Sequence, residues 1–154
     1  MSLPNLEMFL REHEVDFRTW THPRAITAQE VAASAHVRGR EMAKPVMVKI
    51  DQRLAMVVVA ASERVHMGRL KELTGAHEVV LASESDFVDR FPDCELGAMP
   101  PFGNLFGLEV FVSDTLASDQ HIAFNAGSHT EVMQLAYSDF ARLTQPQIYY
   151  PRPH

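Results

Sequence analysis

The sequence predicts an α+β protein whose helices surround a mixed β-sheet. Helix-like and strand-like segments alternate along the chain, and the last strands follow each other directly. The stretch 43–61, AKPVMVKIDQRLAMVVVAA, has two apolar runs joined at Asp51-Gln52-Arg53, a pattern typical of a β-hairpin. We expect the chain to be organised around this hairpin. Its 154 residues predict a single domain over 1–154, long enough to bury a core.

Two helices and a strand are predicted before the hairpin. An apolar stripe behind an early proline predicts a helix over 4–14. Apolar and polar residues then alternate over 15–21, which predicts a strand that ends before Pro23 because proline cannot continue a β-ladder. A Thr-x-x-Glu capping box predicts the second helix, over 28–36.

Within the hairpin, the alternation of side chains decides where Lys44 lies. It shares a face with Val46, Val48 and Ile50, the face that most resembles a core, whereas Lys49 lies on the opposite, mixed face. A lysine at the mouth of an apolar face either extends its amine to water or becomes partly desolvated. The pattern alone favours the first alternative. The second would lower the pKa and make the amine useful in chemistry.

The rest of the chain continues the α+β pattern. Ser62 and Glu63 are expected to open a helix near 65–73 that is closed by Gly75. The remaining predicted elements are strands at 78–81, 105–112, 121–125 and 130–136, helices at 83–91 and (after Ser138) 139–143, and a proline-rich tail that frays.

Composition and charge narrow the function classes. One cysteine, Cys94, cannot form an internal disulfide, which favours a reducing compartment, and we expect a cytoplasmic protein. The N-terminus does not resemble a signal peptide, and the longest apolar run, 54–61, is too short to span a bilayer, so no membrane partner is expected. A net charge of −6 argues against wholesale coating of a nucleic-acid backbone, although it leaves room for a local basic patch.

The loop 97–103, GAMPPFG, is a candidate binding loop. Its two prolines stiffen the backbone, and its glycines permit positive φ and close approach of another molecule. Converging amides could hold a carbonyl oxygen, a water or an oxyanion. The amides in question are those of Ala98, Met99, Phe102 and Gly103. A plain structural turn explains the same residues equally well.

A second candidate is Asn125, at the point where a strand runs into the turn at Gly127. Its amide could bind a substrate, or it could simply form the turn. Other motifs are not supported. The eight histidines show no metal-ligand spacing, no serine lies in a nucleophile-elbow context, and no phosphate-binding glycine loop is present. We therefore predict no metal and no cofactor.

Four motifs in order resemble the YbaK/ProX family: Thr21-His22-Pro23, Ala43-Lys44-Pro45-Val46, the loop 97–103, and Asn125-Ala126-Gly127. Members of this family are aminoacyl-tRNA deacylases, also found as the editing domain of bacterial-type prolyl-tRNA synthetases. The resemblance implies a mixed sheet curled partly into a barrel with helices around it. It also implies that the protein hydrolyses the ester joining a small, wrong amino acid (Ala, Ser or Cys) to tRNA, with tRNA-Pro one candidate. The implied partners are aminoacyl-tRNA and an aminoacyl-tRNA synthetase.

The resemblance also implies roles for individual residues. The positions that match the family's site are His22, Lys44, Gly97, Pro101, Phe102, Gly103, Asn125 and Gly127. Lys44 would hold the terminal ribose or phosphate and the developing oxyanion, and the amides of Phe102 and Gly103 would fix the carbonyl or the attacking water. Asp139 is the nearest candidate for the family's acidic pocket residue. Pro100 departs from the family, because many relatives carry Ser or Thr there.

Two other classes of function remain open at this point. The chain could be a non-catalytic module of the same fold that docks on a synthetase or a tRNA. It could also be a hydrolase of small aminoacyl esters, or an amino-acid sensor, that uses the same pocket. Retention of Lys44 and of the glycine loop favours the deacylase.

Overall fold

The computed structural model describes residues 4–22, 29, 38–92, 94–95 and 97–151. Its helices are α1 (Pro4–Glu12), α2 (Met67–Thr74), α3 (Glu84–Phe87), α4 (Asp114–Ala117) and α5 (Tyr137–Thr144), with short 3₁₀ helices at Val88–Arg90 and Gly103–Phe106. Its strands are β1 (Phe17–Thr21), β2 (Ala43–Ile50), β3 (Arg53–Ala60), β4 (Val79–Leu81), β5 (Glu109–Ser113), β6 (His121–Asn125), β7 (Glu131–Ala136) and β8 (Gln147–Tyr149). The predicted α+β class is confirmed. The helix predicted over 28–36 lies, apart from Gln29, outside the described residues.

The strands form two sheets. The larger sheet has the order β4-β2-β3-β5-β8, with antiparallel pairing around the hairpin and parallel pairing from β3 to β5 and from β5 to β8. The smaller sheet, β1-β7-β6, is antiparallel throughout. A parallel bridge between Met42 and Ala123 connects them. The sheets meet at this point without closing into a barrel, which corrects the partly barrel-like expectation.

The larger sheet is buried on both faces because the hairpin alternates between two cores. Met47, Met56 and Val58 face the main cluster, which also receives α1, α5 and the inner face of the smaller sheet. Val48 and Val57 face a second cluster built around α2 and β8. β3 is therefore apolar at nearly every position, as a strand covered on both faces requires.

The predicted hairpin turn forms at Asp51 and Gln52, and both have positive φ, 48° and 71°. Such a two-residue turn usually contains glycine, because the left-handed conformation disfavours most side chains. Here the carboxylate of Asp51 accepts hydrogen bonds from the amides of His77 and Glu78, each at 2.9 Å. These bonds stabilise the turn and fasten it to the start of β4.

A pH dependence follows from the same contacts. Hydrogen bonds from the amides of Glu78 and His77 lower the pKa of Asp51 below its ordinary value of 3.8. A lowered pKa stabilises the fold above the ordinary value, and this contribution is lost as pH falls through the folded-state pKa. We expect Asp51→Asn to show a weaker decline of the thermal unfolding midpoint below about pH 4 than the wild type does. Equal acid sensitivity of the two proteins in a differential scanning experiment would contradict this.

Several boundaries differ from expectation in the second half of the chain. The helix expected to open at Ser62 and Glu63 begins only at Met67, where the His66 ring accepts the Arg69 amide at 3.2 Å; its closure by Gly75, with φ 70°, is confirmed. The helix expected over 83–91 divides into α3 and a 3₁₀ turn, and α4 was not predicted. The last helix begins at Tyr137, after Ala136 rather than Ser138.

The largest error concerns the tail, which was expected to fray. Residues 147–149 instead form β8 and pair in parallel with β5. Tyr149 is fully buried in the second cluster, and its hydroxyl accepts the His66 amide at 2.5 Å. The strand expected over 105–112 begins only at Glu109, because a 3₁₀ turn and the left-handed Gly107 precede it.

Candidate active site

Lys44 lies on the face of β2 predicted for it, beside the second cluster, and is half-buried. Its ammonium donates a hydrogen bond to the carbonyl of Ala61 at 3.1 Å. Burial lowers the pKa of Lys44, the carboxylate of Glu63 raises it, and the charge of Arg64 lowers it further. The structure thus has the partly desolvated amine rather than the solvent-extended one that the pattern favoured. The amine is held by the Ala61 carbonyl, directly after β3, which the sequence did not reveal.

The segment that receives this ammonium borders a cavity. Ser62, Glu63, Arg64, Val65 and His66 line it together with Thr115 and Pro151, and its volume is about 460 Å³. Among these lining residues, Arg64 and His66 are exposed to solvent. A cleft of mixed polar and apolar lining, which includes Arg64 and Glu63, therefore lies next to the Ala61 carbonyl that binds Lys44.

The glycine loop and the Asn-Ala-Gly turn, far apart in sequence, meet in the structure. The amide of Gly127 donates to the carbonyl of Ala98 at 3.0 Å, and its carbonyl accepts the Glu95 amide at 2.7 Å. Gly97 has φ 83°, and a Cβ built on it would lie 3.5 Å from Cε1 of His129. Gly127 has φ 101°, a conformation that favours glycine. The glycine loop and the Asn-Ala-Gly turn, two of the predicted site motifs, are therefore in direct contact.

His22 and Asn125 belong to the same end of the smaller sheet. The amide of His22 donates to the carbonyl of Thr130 at 2.9 Å, which places it beside the turn after β6. Asn125 is only 6% exposed. Its Oδ1 atom accepts no hydrogen bond from any residue within the described ranges. A buried acceptor of this kind is a candidate for contact with a ligand donor.

The bridge between the sheets relates the backbone of Lys44 to that of Asn125. At the parallel pair of Met42 and Ala123, the Ala123 amide donates to the Glu41 carbonyl at 2.9 Å. Here β2 and β6 run in the same direction. Lys44 lies two residues after Met42, and Asn125 lies two residues after Ala123. The backbone at Lys44 and that at Asn125 thus lie at the same end of the junction between sheets.

The proline-braced part of the loop is buried from Ala98 to Gly103. The Ala98 amide donates to the Glu95 carbonyl at 3.0 Å, so it is not one of the free donors that we expected. The ring of Phe102 packs in the main core. A Cβ on Gly103 would lie 3.0 Å from Val110 Cγ2 and 3.3 Å from Met56 Cβ. Besides any role of their amides, Gly103 thus lies close against the larger sheet, Phe102 anchors the loop in the main core, and Pro101 is buried.

Asp139 forms an ion pair within its own helix. It lies in the first turn of α5 and pairs with Arg142 at 3.1 Å. Two residues of interest were missed by the sequence analysis. His129 is buried against Gly97, and Glu63 forms polar contacts near Lys44. The Ser-His pair directly after Gly127 was the signal that could have indicated His129. No local sequence pattern indicated Glu63.

The fold is shared with solved structures of other proteins. A solved structure described as a candidate trans-editing enzyme for prolyl tRNA synthetase superposes with a TM-score of 0.81 at 16% identity, covering 97% of this chain and 95% of that one. A model of the aminoacyl-tRNA editing domain matches residues 22–143, and the chain belongs to this family. The family predicted from the four motifs is thereby confirmed.

Two curated relatives illustrate the range of proteins that share this domain. The chain is 28% identical over 148 residues to the multifunctional Ser/Thr-tRNA deacylase ProXp-y of Escherichia coli K12, covering 90% of this chain and 86% of that protein. It is 29% identical over 90 residues to the proline–tRNA ligase of Bacillus cereus AH187. That alignment covers 58% of this chain and 16% of the ligase, so the similarity is confined to a small part of the larger enzyme.

In the part of the chain that the structure covers, no group of three or more His, Cys, Asp or Glu side chains could hold a metal ion. Within those same ranges, no helix combines the length and the apolar composition needed to cross a bilayer.

Proposed function

We propose that this protein hydrolyses the ester bond of tRNA mischarged with a small amino acid such as Ala, Ser or Cys. One observation carries the proposal: the editing-domain match over 22–143 contains every residue assigned to the site, from His22 to Asp139. Substrates of this class are made where translation occurs, so the location that we propose is the cytoplasm. A tRNA substrate bound by an acidic protein requires local rather than overall charge complementarity.

The chemistry needs positioning and charge stabilisation more than a strong nucleophile, because an aminoacyl ester is already activated. A water, or the vicinal hydroxyl of the terminal ribose, adds to the ester carbonyl, and negative charge develops on the carbonyl oxygen. The ester C–O bond then breaks, and the ribose oxygen leaves with a proton. With water as the nucleophile, the products are the free amino acid and uncharged tRNA. Attack by the vicinal hydroxyl moves the aminoacyl group to that oxygen, and a water must then attack the new ester to release the amino acid.

Each wall of the site has a role in this proposal. The ammonium of Lys44 stabilises the developing oxyanion and the terminal ribose or phosphate. The amides of Phe102 and Gly103 orient the carbonyl or the attacking water. Oδ1 of Asn125, buried and without a donor among the described residues, accepts a hydrogen bond from the substrate's ammonium or hydroxyl. His22 and Gly97 border the aminoacyl pocket.

Selection by size explains why such a reaction needs a site of its own. One methylene in an apolar pocket changes binding by only about 1–3 kcal/mol. A synthetase that accepts proline therefore cannot reject alanine completely by binding alone. A second, smaller pocket that admits alanine or serine and excludes proline supplies the missing discrimination.

The proposal is tested with a panel of tRNAs carrying labelled Ala, Ser, Cys or Pro, assayed under single-turnover conditions. We expect rapid release of at least one small amino acid and slow release of proline. Binding to tRNA without turnover of any member would instead support the docking module. Equal rates on free aminoacyl esters and on aminoacyl-tRNA would support the small-ester hydrolase.

A matched pair of glycine substitutions separates backbone strain from a role in the site. Gly97→Ala and Gly75→Ala both place a side chain at positive φ, 83° and 70°. Each is expected to destabilise the fold by about 1–2 kcal/mol in chemical denaturation. Only Gly97→Ala adds a methyl group beside His129, so only it is expected to slow deacylation, by about 10-fold. Equal rates for the two variants would remove Gly97 from the pocket.

A further inference from the structure

Glu63 makes an unusual number of contacts for a carboxylate in a connecting segment. Its Oε1 accepts the amide of Ala60 at 2.9 Å. Its Oε2 accepts the hydroxyl of Ser113 at 3.1 Å and that of Thr115 at 2.9 Å. The donors come from the end of β3, the end of β5 and the first turn of α4. One carboxylate therefore fastens the chain after β3 to two other elements.

Each donor in this cluster is itself held in place. Ser113 is fully buried, and its hydroxyl oxygen also accepts the Thr115 amide at 3.2 Å as the N-cap of α4. Hydrogen bonds to a charged acceptor are shorter and stronger than neutral ones. The segment after β3, which carries the Ala61 carbonyl, is thus fixed through Glu63 rather than left as a free loop.

Lys44 depends on this segment in two ways. Its ammonium donates to the Ala61 carbonyl, two residues before Glu63. The charged groups that act on it among the described residues are Glu63, which favours the ammonium, and Arg64, which opposes it. From β8, Tyr149 also lies within the field of Glu63, and burial raises the pKa of its phenol. Glu63 is then the one negative charge in this set that offsets the desolvation of Lys44.

We propose that Glu63 is a positioning residue for Lys44: its hydrogen bonds hold the segment that carries the Ala61 carbonyl, and this carbonyl directs the ammonium to that end of the hairpin. The relevance of this role to ester hydrolysis rests on the function proposed above, whereas the link between Glu63 and Lys44 does not. The partners of Glu63 all lie outside the glycine loop, so this support is a separate part of the site.

The experiment compares Glu63→Gln with the wild type by titrating lysine side chains. The sequence contains three lysines, Lys44, Lys49 and Lys71, so protein labelled at lysine Cε gives three NMR signals, and Lys44→Arg assigns one of them. Glutamine keeps the shape and the acceptor for the Ala60 amide but loses the charge. We expect the titration midpoint of Lys44 to fall, while those of Lys49 and Lys71 stay in place. The alkaline limb of the kcat/KM profile should move to lower pH with it.

Glu109→Gln is the matched control. Glu109 begins β5, whereas Ser113 ends that strand; its side chain is 47% exposed and pairs with Arg53 at 3.1 Å. Glu109→Gln removes the same unit of charge as Glu63→Gln does, but at the end of β5 opposite Ser113. We expect no movement of the Lys44 signal and an unchanged pH profile.

The outcomes separate the two proposals. A Lys44 signal that titrates in Glu63→Gln as in the wild type would overturn the inference. A shifted signal with unchanged deacylation at every pH would support the link and count against Lys44 in the proposed reaction. If Glu63→Gln does not fold, Glu63→Asp replaces it, because it keeps the charge but cannot reach all three donors. A Lys44 titration midpoint that differs from the wild-type value would then support the inference, and a wild-type midpoint would overturn it.

Discussion

Lys44→Ala is expected to slow deacylation at least about 100-fold, because a group that stabilises a developing oxyanion typically contributes a factor of 10²–10³. The ammonium is half-buried and hydrogen-bonded to the Ala61 carbonyl at 3.1 Å, and the neighbouring Lys49 lies on the opposite face of the strand. The measurement is single-turnover release of labelled amino acid from mischarged tRNA, with the unfolding midpoint followed in parallel. The midpoint should remain close to that of the wild type.

Lys49→Ala is the control for this experiment. Lys49 comes from the same strand but the opposite face, is 35% exposed and pairs with Asp86 at 3.6 Å. Surface ion pairs of this kind contribute at most about 1 kcal/mol. We expect Lys49→Ala to retain the wild-type rate. Unchanged hydrolysis in Lys44→Ala would remove Lys44 from the mechanism, whereas an equal loss in both variants would indicate a general effect of charge on tRNA binding.

The position of Lys44 shows what the sequence could predict. Alternation of side chains in a strand is a local rule, so the face of Lys44 followed from residues 43–50 alone. The environment of its amine did not, because the Ala61 carbonyl is 17 residues away. Similarly, Glu63 looked like part of a helix start, whereas its hydroxyl partners are 50 and 52 residues further along the chain.

The tail shows the same limit for the fold. Residues 147–149 form a strand only because the exposed edge of β5 is available for parallel pairing. No local pattern over such a short segment, flanked by prolines, indicates this pairing. The glycine loop and the turn at Gly127 were linked by their resemblance to a family, not by periodicity. Their contact through Ala98 is a tertiary feature that sequence patterns do not carry.

Phe102 provides the largest expected effect on stability. Its ring is fully buried and makes edge-on contacts with Phe9, Phe124 and Phe140, at centroid separations of 6.5, 5.7 and 5.4 Å. These contacts connect the loop to α1, β6 and α5. Phe102→Ala is expected to lower the free energy of unfolding by about 3–5 kcal/mol, measured by urea denaturation. Leu105→Ala, at a position 38% exposed in the following 3₁₀ turn, should cost less than about 1 kcal/mol.

A second substitution at the same position separates packing from chemistry, because the proposed catalytic contribution of Phe102 is its backbone amide. Phe102→Leu keeps that amide and most of the apolar volume, so it should lose less stability than Phe102→Ala and retain deacylation within about 10-fold of the wild type. The ring fixes the loop against the core, and the amide does not depend on the ring's chemical identity. A stable Phe102→Leu protein with a rate as low as that of Lys44→Ala would show that the ring itself borders the substrate, and the loop would have to be reassigned from donor to pocket wall.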